Sequence, residues 1–387
     1  MNQENNSVLE KIREGYGLPV LSPIALRLRE LASSETASID DLASLMAKDP
    51  SLAARLLRLA NAAFFGNEGQ ITTIEKAIMR VGFMHLRNMA LSISLRDAFP
   101  MGKVGAMDYE EFWRSSLYRA IIARSLARTK KTCNPEEAFV AGLTLEIGSL
   151  IFFDLFIKGK SDFMPGPYPF ETLIEWEQEQ FGVNHRDIGH QALRYWNFPE
   201  IILECQDACL NEKRQDRVPP LALLCDAARR FSYLISEQGA GWHVMFTEVE
   251  TIYGIKSEVL TPLLVSAFNE VQEISETLKV NMSREGDLIK LLEKANFTLQ
   301  KLILTMTKWI FFVFNGKGLD GSQLMAQYSL TERLQMVAFE IKKPLEIIRE
   351  FIDNLVPSIS PDSREWSHVQ AITEEVKKVE LAALLLK

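Results

Sequence analysis

Apolar residues along this chain recur at helical spacing in almost every stretch, and no sustained alternation of apolar and polar positions marks a half-buried strand. Ile39, Leu42, Leu45 and Met46 share one helix face. Asp49-Pro50 interrupts that face and restarts it with proline at a favoured first-turn position, after which Leu52, Leu56, Leu59 and Ala60 continue it. Ser38 and Asp40 are the candidate caps. Ile78–Leu95 reads as one helix with His85 on its polar side. Gly and Pro clusters punctuate the chain at Met101–Gly105, Pro165–Pro169, Gly239–Gly241 and Asn315–Gly321. The pattern predicts an all-α protein whose first domain spans residues 1–275. Within it a two-layer helical arrangement divides near residue 105, giving halves 1–105 and 106–275.

The next segment, 276–314, carries a stricter repeat. Leu288, Leu292, Ala295, Leu299, Leu302, Met306, Trp309 and Val313 are spaced by four and three in turn. A period of 3.5 residues is that of a coiled-coil seam, whereas a single packed helix drifts toward 3.6. The intermolecular reading predicts a homodimer; the alternative is a long amphipathic helix lying on its own chain. Residues 315–387 form a predicted helical hairpin. Leu330, Leu334, Val337, Ile341, Leu345, Ile348, Ile352 and Leu355 stripe its first helix, with a small stutter at Ile341. Pro357-Ser-Ile-Ser-Pro361 makes the turn, and Val369, Ile372, Val376, Val379 and Ala383 stripe the second helix. Two such helices bury little by themselves, so the hairpin is expected to need a partner.

Composition narrows the function classes. A chain of 387 residues with 47% apolar content has room for two or three domains. Its net charge of −8 gives no support for a nucleic-acid footprint. The N-terminus MNQENNSVLE has neither a basic nor an apolar signal region, and the most apolar stretch, near Leu302–Phe314, is short and interrupted by Lys308. These features predict a cytoplasmic protein with no membrane partner. Cys133, Cys205, Cys209 and Cys225 form no CxxC pair, which fits reduced thiols and disfavours zinc. Cys205 and Cys209, four apart, read as small core residues on one helix face.

Three stretches together resemble the HDOD family, the non-catalytic relatives of HD phosphohydrolases. They are LASLMAKDPSLAARLLRLANAAFFG (Leu42–Gly66), ITTIEKAIMRVGFMHLRNMALSISL (Ile71–Leu95) and EEAFVAGLTLEIGSLIFF (Glu136–Phe153). The similarity covers roughly residues 1–240. The resemblance implies a bacterial signalling domain of helices, and it identifies where an HD enzyme would hold its metal. Such a site needs imidazoles and carboxylates around an activated water. The first histidine position is Ser115, within FWRSSLYRA, and the His-Asp pair is Leu145-Glu146. Ser149 replaces the lysine that often follows. His185 is retained within FGVNHRDIGHQALRYWNFPE, Gln206-Asp207 stand near a later histidine pair, and Asp226 near the final aspartate. Leucine cannot ligate a metal, so no catalytic residue, metal ligand or cofactor is expected. His185 is expected to be a hydrogen-bonded structural histidine near a helix start. His190, five residues on, is poorly placed for joint ligation, and His243 and His368 are isolated.

The hairpin stretch SLTERLQMVAFEIKKPLEIIREFIDNL (Ser329–Leu355) resembles the dimerisation and phosphoacceptor helix of sensor histidine kinases. Phe339 occupies the acceptor position, and a phenyl ring has no nucleophilic nitrogen. Its neighbours Glu340, Lys342 and Lys343 leave open whether the ring meets a partner or turns inward to the core. The leading expectation is a dimeric, non-enzymatic signalling module with a protein partner. The alternatives are a divergent HD phosphodiesterase and a pseudo-kinase hairpin that captures a two-component protein.

Overall fold

The computed structural model describes residues 3–33, 37–61, 70–159, 170–207, 218–235, 242–278, 288–299 and 330–384. Among these, the regular elements are helices except for a two-strand hairpin, and the chain divides into two compact units. The first comprises Met1–Ser232 with Asn269–Met282, and the second Tyr233–Phe268 with Ser283–Lys387.

The first unit begins with α1 (Gln3–Arg13), α2 (Pro23–Ser33), α3 (Ile39–Met46), α4 (Pro50–Ala60), α5 (Ile74–Val81) and α6 (Phe83–Asp97). Helix α3 starts in a capping box: the Ser38 hydroxyl accepts from Asp41 N, and the Asp41 carboxylate accepts from Ser38 N. Asp49 caps α4, whose first residue is Pro50, so the interruption read from the sequence is a true helix boundary. Asp40 is a first-turn acid and not a cap.

Asn61 explains the Leu-Ala-Asn run of the first motif. Its amide donates to Leu57 O and Ile71 O, both at 2.8 Å, and its oxygen accepts from Ile71 N at 2.7 Å. One side chain thus ties the end of α4 to the approach of α5.

The single helix expected over Ile78–Leu95 is two. Gly82 adopts φ +92°, where L side chains are strained, and separates α5 from α6. His85 is also not on a polar face: α6 is surrounded, and His85 is buried along with Arg87, Asn88, Ser92, Ser94 and Arg96.

β1 (Lys103–Val104) and β2 (Met107–Asp108) pair antiparallel at the punctuation between the two halves. The second half contains α7 (Tyr109–Lys130), α8 (Pro135–Thr144), α9 (Ile147–Phe152) with a π-helical turn Phe153–Ile157, α10 (Phe170–Phe181), α11 (His185–Tyr195), α12 (Glu200–Asp207) and α13 (Pro220–Ile235). Helices α7 and α8 pack most extensively, and α11 is covered by α1, α9 and α12. The stretch Pro135–Ile157 is apolar and long enough to cross a membrane, yet 78% of its most apolar window is buried within the chain, as in a core helix.

The second unit holds α14 (Trp242–Tyr253), the start of α15 (Ser257–Leu278), α16 (288–299), α17 (Leu330–Leu355) and α18 (Arg364–Leu384). Leu288, Leu292, Ala295 and Leu299, the described half of the heptad seam, are already buried within one chain. So are Ile341, Leu345, Ile348, Ile352, Leu355, Val369, Ile372, Val376 and Val379 of the hairpin. Over these residues the exposed apolar faces that motivated a second copy are absent. The seam from Leu302 to Val313 lies outside the described residues, as do Cys209 and the side chains of Phe339, Lys343 and His243.

Candidate functional site

Helix α11 begins at His185 because Asn184 caps it. The Asn184 oxygen accepts from Arg186 N at 2.9 Å and Asp187 N at 3.0 Å, and the Asp187 carboxylate accepts from Asn184 N at 3.3 Å. This fixes the histidine ring at the mouth of the helix. Two other elements reach it. The turn between α8 and α9 presents Glu146, and α10 presents Glu177.

His185 Nε2 lies 2.8 Å from Glu146 Oε2, and Nδ1 lies 2.7 Å from Glu177 Oε2. That same Glu177 oxygen accepts from the His185 backbone N at 2.8 Å. Arg186 Nη2 donates to the other Glu146 oxygen at 2.6 Å. All four side chains are buried, His185 and Arg186 at 1% exposure. Two carboxylates and two cations therefore form a charge-neutral cluster in a dry interior. Ionised carboxylates only accept, so both ring nitrogens must carry protons and the ring is an imidazolium.

The electrostatics agree. Burial by itself pushes the His185 ring down, but Glu177 and Glu146 outweigh it and raise the ring to about 9. Burial pushes the Glu146 carboxyl up, but Arg186, His185 and Arg119 hold it well below the usual carboxylate range. Arg119, from α7, is fixed by donating to Gly142 O at 2.6 Å and Ser116 Oγ at 3.0 Å.

A pH dependence follows. The folded value of His185 lies above its ordinary 6.5, so its contribution to stability is complete below pH 6.5 and is lost as pH rises through about 9. Urea unfolding of wild type and His185→Gln should show a stability gap that narrows across this interval. A gap that stays constant would contradict the imidazolium.

The remaining positions singled out in the sequence do not join this cluster into a ligand set. Ser115 is half-buried on α7, Leu145 is fully buried, and Ser149 is half-buried on α9. Gln206 is buried and donates to Thr144 O at 3.3 Å, while its neighbour Asp207 meets His190 Nδ1 at 2.9 Å near the surface. The Asp226 carboxylate is held by Arg229 at 2.6 Å and faces Arg230 at 3.6 Å, both on its own helix. His368 is half-buried on α18. Among the described residues, no group of three or more His, Cys, Asp and Glu side chains is arranged to hold a metal ion.

Sequence reasoning missed Glu177, Arg186 and Arg119. Glu177 left one signal: it stands between Ile174 and Phe181 at core spacing on α10, where an apolar residue belongs.

The HDOD domain model matches residues 18–209, which span all of these elements from α2 through α12. The chain is an HDOD-domain protein. The chain is similar in fold to a solved HDOD domain protein from Geobacter sulfurreducens, at TM-score 0.55 and 22% identity, covering 71% of this chain and 98% of that one. A candidate phosphohydrolase from Shewanella amazonensis SB2B gives TM-score 0.54 and 22% identity, covering 70% of this chain and 97% of that one. A candidate signal transduction protein from Marinobacter aquaeolei VT8 gives TM-score 0.51 at 20% identity, over 72% of this chain and 62% of the other. An uncharacterised protein of Treponema pallidum is 23% identical over 197 residues, which are 48% of this chain and 36% of that protein. At such identities the likeness speaks for the fold alone.

The HD-type metal does not fit the residues at this place in the HDOD domain. Leu145 offers no donor atom. Both nitrogens of His185 are protonated toward carboxylates, so neither has a lone pair for a cation. Arg186 already sets a positive charge against Glu146, and a divalent ion would face it at close range.

Proposed function

We propose that this HDOD-domain protein is a non-enzymatic signal-transduction module that acts by binding a protein partner in the cytoplasm. The observation that carries the reading is the four-residue cluster in which Glu146, Glu177, Arg186 and His185 satisfy one another's charge. A hydrolase needs a metal-held water, or a base with a free lone pair, open to substrate. Here the would-be base is a buried imidazolium and the would-be ligand is spent on an internal ion pair. What remains is a rigid helical body, and rigid bodies serve signalling by docking and shifting as units.

The full chain, incubated with Mg²⁺ or Mn²⁺ and with cyclic dinucleotides or nucleoside phosphates, should give no product above a boiled control. Turnover that disappears in Glu146→Ala would overturn the reading in favour of a divergent phosphodiesterase.

A further inference from the structure

A second buried charge cluster lies apart from His185, and its decisive residue comes from outside the residues matched by the HDOD model. Arg124, on α7, is 1% exposed. Its Nη1 donates to His85 Nδ1 at 2.7 Å, its guanidinium carbon lies 5.1 Å over the Phe139 ring of α8, and its Nη2 donates to Glu270 of α15. A guanidinium has no neutral form in proteins and no acceptor atom. His85 Nδ1 therefore accepts and the ring is neutral. Burial, then the charges of Arg124 and Arg128, push that ring down to about 3. His85 cannot balance Arg124, and among the described residues Glu270 is the carboxylate paired with it.

Glu270 stands on a buried stripe with Ala267, Phe268, Val271 and Ile274, at a position where packing alone would call for an apolar residue. It is also the second residue after α15 passes from the second unit, whose first segment ends at Phe268, into the first, which resumes at Asn269. One continuous helix thus belongs to both units and is fastened by charge where it enters the HDOD unit.

The body to which it is fastened is stiff. A Cβ on Gly142 would lie 3.0 Å from Ala120 Cα and 3.0 Å from Arg119 O, so α7 and α8 touch backbone to backbone. Arg119 bridges them through Gly142 O. The same pair carries Arg124 and Phe139 along its length and leads, two residues past Thr144, to Glu146.

We propose that Glu270 is a charge lock that holds the tail of α15 in the HDOD unit all-or-none, so that its release is passed along α15 between the HDOD domain and the second unit. Partial withdrawal leaves Arg124 buried without its counter-ion, which is strongly unfavourable, so the helix has a locked and a released state with little between them. This inference is independent of whether the His185 cluster is catalytic.

Hydrogen exchange on the full chain tests it. Glu270→Gln keeps the shape and removes the charge. Exchange over 269–278 should rise by at least ~10-fold, and α14 (242–253), in the second unit, should change with it. Unchanged exchange over 269–278 would overturn the lock, and a rise confined to 269–278 would overturn the relay. Should Glu270→Gln fail to fold, Arg124→Met combined with Glu270→Met removes both charges at similar volume. That variant should fold and protect 269–278 at least as well as wild type. If it too fails to fold, the damage in Glu270→Gln comes from lost packing rather than from stranding Arg124, and the lock is overturned.

Discussion

Arg186→Met should destabilise the protein by about 3–5 kcal/mol, the usual cost of stranding a buried charge. The substitution keeps much of the side chain's volume but removes the cation that donates directly to Glu146, leaving His185 to face both carboxylates with Arg119 as the weaker influence on Glu146. A dry interior tolerates one uncompensated carboxylate poorly, and Glu146 would have to take up a proton. Chemical denaturation at neutral pH reads the loss. Combining Arg186→Met with Glu146→Gln removes one charge of each sign, and most of the lost stability should return. The double variant matters because deletion of a surface pair would cost at most about 1 kcal/mol and show little coupling. Additive losses in the two variants would mean that the guanidinium acts through packing rather than charge.

Gly148→Ala is expected to be comparably severe, for a steric reason. Helices α9 and α11 approach so closely that a Cβ on Gly148 would fall inside the carbonyl oxygen of His185 and 2.6 Å from the backbone nitrogen of Gly189. Both obstacles are main chain, which cannot swing aside as a side chain does. Separating the helices would pull His185 from Glu146 and loosen the cluster. The expected loss is more than about 3 kcal/mol, beyond ordinary overpacking, read as a fall in the unfolding midpoint. Gly189→Ala is the milder companion, because the added methyl meets the Gln206 side-chain oxygen at 2.8 Å, an atom that can move. Equal tolerance of the two would show that α9 and α11 are free to separate.

Much of this architecture was legible in the sequence for local reasons. Helical periodicity, Asp49-Pro50 and the Gly/Pro clusters act within a few residues, and helices α3 and α4 lie where they were expected. The expectation that His185 is a hydrogen-bonded histidine near a helix start was also readable, since it concerns one position beside one cap. Two local readings failed. Gly82 breaks Ile78–Leu95 through its positive φ, because a glycine inside an amphipathic run does not announce whether it bends the chain. His85 is buried because α6 is surrounded on every side, so the face that looks polar packs against Arg124.

The pairings were illegible for a different reason. Glu177 and His185 are eight residues apart, Glu146 and Arg186 forty, and Arg124 and Glu270 one hundred and forty-six. A buried charge advertises only that it needs a partner; which partner depends on how helices distant in sequence pack. The clue in the sequence was misplacement, namely Glu177 and Glu270 each standing on an apolar stripe. Such misplaced acids mark the two clusters on which the fold and its signalling reading both rest.

The most direct measurement is nitrogen-15 NMR of the His185 ring in the full chain, assigned by comparison with His185→Gln. Both ring nitrogens should be protonated from pH 6 to pH 8, and adding Zn²⁺ should leave both signals in place. A neutral ring at pH 7, or a ring nitrogen that exchanges its proton for the metal, would contradict the proposal that Glu146, Glu177 and Arg186 hold His185 in an internal charge cluster that leaves it no lone pair for a metal.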